Sequence, residues 1–392
     1  MAFEGAFEEA VDRIGGEPIS ARMARKAPIR HLDPTLLLTT LMLSAFGALM
    51  VLSATASQQE QAGLDPNTYF KRQIAYMAAG ALLLLFISFF DYRHFRGFAP
   101  FIYAATIVAL VIVLTPLGEV QSGARRWINF GAFQAQPSEL AKIAVIVALA
   151  AYLAERKADL LGRDIAICCA VVMVPATLIY LEPDLGTMIV FVALLGALLL
   201  VAGAKLRHFL ALGAVGIALV ATVLQAGLLK DYQLNRITAF LDPDPDVQSI
   251  GYNLTQSKIA IGSGAFTGKG LQGENTQTTL DFVPEQHTDF IFTAVGEQLG
   301  FVGSAALLAL FAFLIWRALR IATLSRDLFG TLVAAGIGTL WAFQLFVNVG
   351  MTMGIMPITG VPLPFVSFGG SSLLTNYLAV GLLLNIHMRR FL

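Results

Sequence analysis

Residues 35–56 read TLLLTTLMLSAFGALMVLSATA, a run without one charged side chain. A helix rises 1.5 Å per residue, so about 20 such residues span the roughly 30 Å apolar thickness of a bilayer. Nine further runs follow, near 74–90, 98–117, 138–155, 165–181, 186–204, 208–227, 290–316, 328–353 and 371–388. They are continuous rather than alternating, which excludes a β-barrel. The pattern predicts an all-α polytopic membrane protein with ten transmembrane helices.

Composition agrees. Of 392 residues, 57% are hydrophobic and 13% are charged, against about 25% charged in an ordinary soluble domain. With 26 Lys+Arg and 26 Asp+Glu there are too few charges to cover a soluble surface. Zero net charge leaves no basic footprint for nucleic acid. A soluble enzyme, a disordered scaffold and a nucleic-acid binder are therefore excluded. Cys168 and Cys169 lie side by side in an apolar run and read as small core residues.

Ten spans put both termini on one side, and loop charges say which. Most Lys and Arg fall in the tail and the even-numbered connections, at Arg22, Arg25, Arg93, Arg96, Arg156, Arg163, Arg207, Arg317 and Arg320 among others. That side is expected to be cytoplasmic. The chain divides into a cytoplasmic tail, 1–33, and a membrane domain, 34–392. The tail lacks an apolar core with a cleavage site, so no cleaved leader is expected. Phe3, Phe7 and Ile14 share a helical face there, leaving a short acidic helix or a disordered tail as readings. The outer side carries one large loop, about 228–289, between spans seven and eight. It also has a medium loop at 118–137 and a charge-free Pro/Gly loop at 354–370, which could dip toward the core where protein satisfies its backbone.

Ionisable residues near a bilayer are costly, so their positions are informative. In DFVPEQHTDF, 281–290, Pro284 suits the first position of the eighth helix and Glu285 its first turn. Asp289, four residues on, then shares a face with Glu285, beside His287; mutual repulsion would tune one carboxylate toward general-base work. A capped helix end with a solvated acidic face explains the same residues. Thr293 and Glu297 continue that face inward. In GARRWINF, 123–130, and QPSELAK, 136–142, Arg125, Arg126 and Trp127 precede a helix opened by Pro137, with Glu139 and Lys142 three apart. These are either an ion pair tying helices or a polyanion site, since arginine forks suit a diphosphate. Glu182 and Asp184 share the EPDLGT turn, 182–187. The stretch 251–262 could form a short surface helix offering Lys258 to phosphate. GSGAFTGKG, 262–270, has the wrong spacing for a nucleotide loop and no hydroxyl residue after Lys269. Gln344 and Asn348, four apart inside the ninth span, are expected to hydrogen-bond across helices.

Taken together, GARRW (123–127), QPSELAK (136–142), EPDLGT (182–187), YQLNRITAFLDP (232–243), YNLTQSKIAIGSG (252–264), VPEQHTDFIF (283–292) and GVPLPFVSFGGSS (360–372) resemble the SEDS family of shape, elongation, division and sporulation proteins. The LDP and QSKIAIGSG stretches lean toward its RodA branch rather than FtsW. The resemblance implies a peptidoglycan glycosyltransferase polymerising lipid II into a nascent glycan strand at the outer face of the bacterial inner (cytoplasmic) membrane. It further implies work with a class B penicillin-binding protein and other cell-elongation proteins, among membrane lipids. The family's essential aspartate falls on Asp289, the expected base in an inverting reaction. Arg126, Lys142, Arg236 and Lys258 are candidates to neutralise diphosphates, with a divalent cation (Mg²⁺ or Mn²⁺), no organic cofactor and no assigned metal ligands. Glu139 and Asp184 would orient cations, Trp127 would hold a sugar or pack its loop, and Glu285 and His287 would border the base. A lipid II flippase and a non-catalytic scaffold for the transpeptidase are the rivals.

Overall fold

The computed structural model describes residues 32–121, 124–131, 133–156, 160–225, 227, 250–271, 276 and 286–391. The elements run α1 (Pro34–Gln61), α2 (Thr68–Phe89), α3 (Tyr92–Leu114), β1 (Glu119–Gln121), β2 (Ala124–Asn129), β3 (Gln134–Ala135), α4 (Pro137–Ala154), α5 (Gly162–Leu181), α6 (Leu185–Val201), α7 (Leu206–Gln225), α8 (Ile250–Ser263), α9 (Ile291–Leu324), α10 (Leu328–Met353) and α11 (Gly370–Met388). A helix meets each of the ten apolar runs. Seven of them, α1 to α5, α9 and α10, are long and apolar enough to cross a membrane. The chain is a multi-pass, mainly helical membrane protein.

The distribution of side chains shows why. Leu82, Phe86, Phe101, Leu200 and Ile217 are exposed on the outside of the bundle, whereas Ser138, Glu139, Lys142, Gln344, Asn348 and Asn385 are buried inside it. Apolar surface outward and polar groups inward suit a hydrocarbon solvent. Helices α4, α10 and α11 are largely enclosed, and α10 packs on α4, α6 and α9 while α11 packs on α2.

Local chemistry sets the helix ends. Asp33 caps α1, its Oδ1 accepting from the amides of Thr35 and Leu36 at 3.1 and 3.2 Å, with Pro34 at the first position. The same carboxylate receives the guanidinium of Arg317 on α9. That partner lets α9 run on to Leu324, past the expected end at 316. The described part of the medium loop at 118–137 forms a small antiparallel sheet, β1-β2-β3. A helix does form over the stretch 251–262, as α8, and it packs on α9 and α10. The tail readings lie outside the described residues, and Cys168 and Cys169 are free thiols packed in the bundle.

Candidate active site

The charge-free loop 360–370 is the hub of one end of the bundle. Val361, Leu363, Phe365, Val366 and Ser367 are buried, as expected of a segment dipping toward the core. Its polar groups bond the 286–290 segment. Ser367 Oγ donates to the Thr288 carbonyl at 2.6 Å, and the Phe368 amide donates to the His287 carbonyl at 2.9 Å. Just beyond the loop, Ser371 Oγ donates to the Gln134 carbonyl at 3.1 Å and accepts from the Gln136 amide at 2.9 Å. The EPDLGT turn presses on it at Gly186, where a β-carbon would lie 2.6 Å from the Thr359 carbonyl oxygen. Segments at 124–142, 182–187 and 286–290 thus meet on one loop.

Asp289 sits in the middle of this assembly, but not on a helix. Residues 286–290 form turns, and α9 begins at Ile291, seven residues after the expected start at Pro284. The reason is where the backbone bonds go. The carbonyls of His287, Thr288 and Asp289 are taken by Phe368, Ser367 and Asn348, and Asn348 Nδ2 also holds the Val361 carbonyl, both at 2.8 Å. Gln286 Nε2 anchors the turn to the Ala54 carbonyl at 3.2 Å. The helical face argued for Glu285 and Asp289 therefore does not exist; Glu285 lies outside the described residues, as does Arg236. Asp289 is half-buried, its Oδ2 3.1 Å from where a β-carbon on Gly360 would stand. His287 packs its ring on Tyr69 and Phe368, at 4.9 and 5.8 Å between centroids. Tyr76 and Phe133 extend this half-buried aromatic series toward the hairpin.

The cations divide into engaged and available. Lys142 Nζ lies 2.6 Å from Glu139 Oε1, and the two residues are 1% and 3% exposed. Gly336 of α10 faces Ile146 of α4. Gln344 makes no side-chain bond, contrary to the cross-helix bonding expected of it, and Ser138 Oγ and Thr375 Oγ1 are also without partners. Asn348 reaches loop carbonyls rather than another helix. Arg126 donates through Nε to the Glu182 carbonyl at 3.0 Å, and through a terminal nitrogen to the Pro183 carbonyl, pinning β2 to the EPDLGT turn. Trp127 is half-buried beside it on β2. Asp184 is the cap of α6, bonded to the Thr187 amide and hydroxyl at 3.1 and 2.9 Å. Lys258 differs. Its stem crosses Gly354 at the end of α10, a position that suits a cation, and its exposed ammonium makes no hydrogen bond or ion pair among the described residues.

Glu182 is the group that sequence reasoning underrated. It is 0% exposed and neither carboxylate oxygen has a partner. Burial pushes its carboxyl up to about 8, the charge of Asp184 adds to this, and Arg126 opposes it. Ser367 and Phe368 were also missed as individuals. Their signal was the charge-free loop itself, which needed Ser hydroxyls and free amides to engage a neighbour.

A hub loop bonded to the turn that bears a half-buried carboxylate, on a bundle with polar groups inside, marks a polytopic membrane protein with a candidate site at one end. Comparison with known proteins supplies the family. The FtsW/RodA/SpoVE model, described as a cell cycle protein, matches residues 34–391, and the chain belongs to this family. Stage V sporulation protein E of Bacillus subtilis is 38% identical over 358 residues, covering 90% of this chain and 96% of that protein. Peptidoglycan glycosyltransferase MrdB of Escherichia coli K12 is 39% identical over 361 residues, covering 92% and 94%. The crystal structure of the Thermus thermophilus rod shape determining protein RodA is similar, with a TM-score of 0.69 at 29% identity over 92% of this chain and 98% of that one. A chain of a peptidoglycan synthase complex that coordinates polymerization and crosslinking gives 0.77 at 30% identity, covering 92% and 98%. The lean toward the RodA branch is supported by MrdB and RodA, with sporulation and FtsW relatives at comparable identity.

Proposed function

We propose that this chain is a peptidoglycan glycosyltransferase that polymerises lipid II during cell elongation. Relatives named peptidoglycan glycosyltransferase support the activity, and the observation that carries it here is the placement of Asp289. Its carboxylate is half-buried on a turn whose carbonyls are fixed by Asn348, Ser367 and Phe368. A half-buried base held on an immobilised turn can meet an acceptor hydroxyl without reorganising. Asp289 takes the proton of the acceptor sugar's 4-hydroxyl, whose oxygen attacks the donor's anomeric carbon. The bond to diphosphate breaks on the opposite face, and the anomer inverts. Diphosphate is a good leaving group already, so no strong general acid is required. Lys258 is the described cation positioned to meet its charge, and Arg236 joins it in the reading. Arg126, Glu139, Lys142 and Asp184 act by holding the mouth together, with Trp127 and His287 on its rim.

Among the described residues no three His, Cys, Asp or Glu side chains converge on a metal site. In this reading a Mg²⁺ or Mn²⁺ would arrive on the diphosphate and take carboxylate oxygens as hard ligands, and no step is routed through it. The proposed topology has ten spans, a cytoplasmic tail over 1–33, both termini inside, and the loop about 228–289 outside the inner membrane. A class B penicillin-binding protein is the proposed partner, on the similarity to the synthase complex.

The test is polymerisation of labelled lipid II by the protein with its transpeptidase partner, wild type against Asp289→Asn. Strands from wild type and none from the folded variant are expected. Equal strands from both would remove Asp289 as the base; lipid II movement without any strand would favour a flippase.

A further inference from the structure

The run GSGAFTGKG, 262–270, plays no part in the reaction proposed above, yet it is built into α9. That helix is broken at Gly300 (φ 64, ψ −158), a left-handed conformation that favours glycine. A break inside an apolar helix orphans backbone groups, which are costly unless satisfied by protein. Here the loop after α8 satisfies them. The amides of Lys269 and Gly270 donate to the carbonyls of Glu297 and Gln298, both at 3.0 Å. In return the amides of Phe301 and Val302 donate to the carbonyls of Ala265 and Phe266, at 3.0 and 3.1 Å. Two backbone bonds lie on each side of the break. The approach is so close that a β-carbon on Gly264 would stand 2.0 Å from the Gly296 carbonyl oxygen.

One side-chain pair seals this splice. Lys269 Nζ lies 3.1 Å from Glu297 Oε1, and Glu297 is 0% exposed. The segment so held, Ile291–Leu299, is the part of α9 that follows directly on the turn bearing Asp289. It is gripped again by Ser257 of α8, whose hydroxyl bonds Thr293 Oγ1 at 2.5 Å and donates to the Thr352 carbonyl at 2.9 Å.

We propose that Lys269 and Glu297 are a positioning pair for the glycosyl transfer: with the 264–270 splice they fix the register of the outer segment of α9 and hence the place of Asp289. The pair touches no substrate atom; it acts through the helix. This rests on the reading of Asp289 as the base.

The experiment compares wild type, Lys269→Met, Lys269→Arg, Gly264→Ala and Asp289→Asn in lipid II polymerisation with the partner, alongside amide hydrogen exchange over residues 291–303. Misplacing a base by an ångström can cost up to about a hundredfold in rate, so about tenfold lower kcat is expected for Lys269→Met with little change in KM. Lys269→Arg, which keeps the charge, restores most of it. Gly264→Ala, which pushes the loop off the helix by a separate route, lowers kcat likewise. Both damaging variants speed exchange at Phe301 and Val302. Wild-type kcat in folded Lys269→Met and Gly264→Ala, with Asp289→Asn inactive, overturns the positioning role alone. Lower kcat with unchanged exchange overturns the splice as its route. An active Asp289→Asn overturns the underlying functional reading instead.

Discussion

Removing the ammonium of Lys142 should be more damaging than removing the whole ion pair. Lys142 and Glu139 meet at 2.6 Å and are almost completely buried between α4 and its neighbours. In Lys142→Met the methionine fills much of the lysine's volume, but Glu139 keeps its charge with no counter-ion. Breaking a buried pair in this way costs about 3–5 kcal/mol, whereas replacing both partners is often near neutral. That is about two to three and a half decades in the folded-to-unfolded ratio. The double variant Glu139→Gln/Lys142→Met should recover most of the loss, since only a neutral amide remains to be satisfied. Unfolding free energies from SDS titration of detergent-solubilised protein measure the cycle. A coupling below about 1 kcal/mol, within reach of an exposed pair, would refute the burial argument. Polymerisation by the recovered double variant then separates the pair's structural work from any direct part in catalysis.

Three further outcomes follow from the same geometry. Lys258→Ala should raise KM for lipid II with kcat nearly unchanged, because an exposed, unpaired ammonium contributes binding; added salt should shrink the difference, and a kcat effect alone would contradict it. Glu182 titrates near 8 when folded, above its usual value of 4.5, so the folded state binds the extra proton between these values. Stability should be fullest below about 4.5, fall as pH rises toward 8, and flatten above; Glu182→Gln should remove that slope in pH-dependent unfolding. Asn348→Leu frees the carbonyls of Asp289 and Val361, costing about 1–3 kcal/mol in the same unfolding assay and lowering kcat because the turn bearing Asp289 loosens.

Helices were legible in the sequence because hydrophobic run length is a one-dimensional signal. Pro34 and Pro137 marked their starts for a local reason: the first turn does not need the missing amide. Pro284 misled for a reason that is not local. Nothing in 281–290 says that loop 360–370, far along the chain, will take the carbonyls an α-helix needs. The Glu139–Lys142 pair was visible from its spacing of three, but that it is sealed in the bundle depends on α10 lying over α4. Arg126 shows the same limit. Its type suggested an anion, and the fold gives it two carbonyls instead.

These misreadings share a cause that bears on the site. In a bilayer, backbone groups released from helices have no water to turn to, so irregular segments persist only where other parts of the protein bond them. The candidate site is built on such segments, the turn at 286–290, loop 360–370 and the turn at 182–184, with the break at Gly300 farther along α9. Each is satisfied by a partner distant in sequence, through Asn348, Ser367, Arg126 and the 264–270 splice respectively. A reactive carboxylate placed on a regular helix would inherit that helix's rigidity but also its packed environment. Placed on a cross-bonded turn, Asp289 keeps a fixed backbone and a half-open side chain. The bonds that make the turn possible also make it rigid, so perturbing any one tie should register at Asp289 even when the tie touches no substrate.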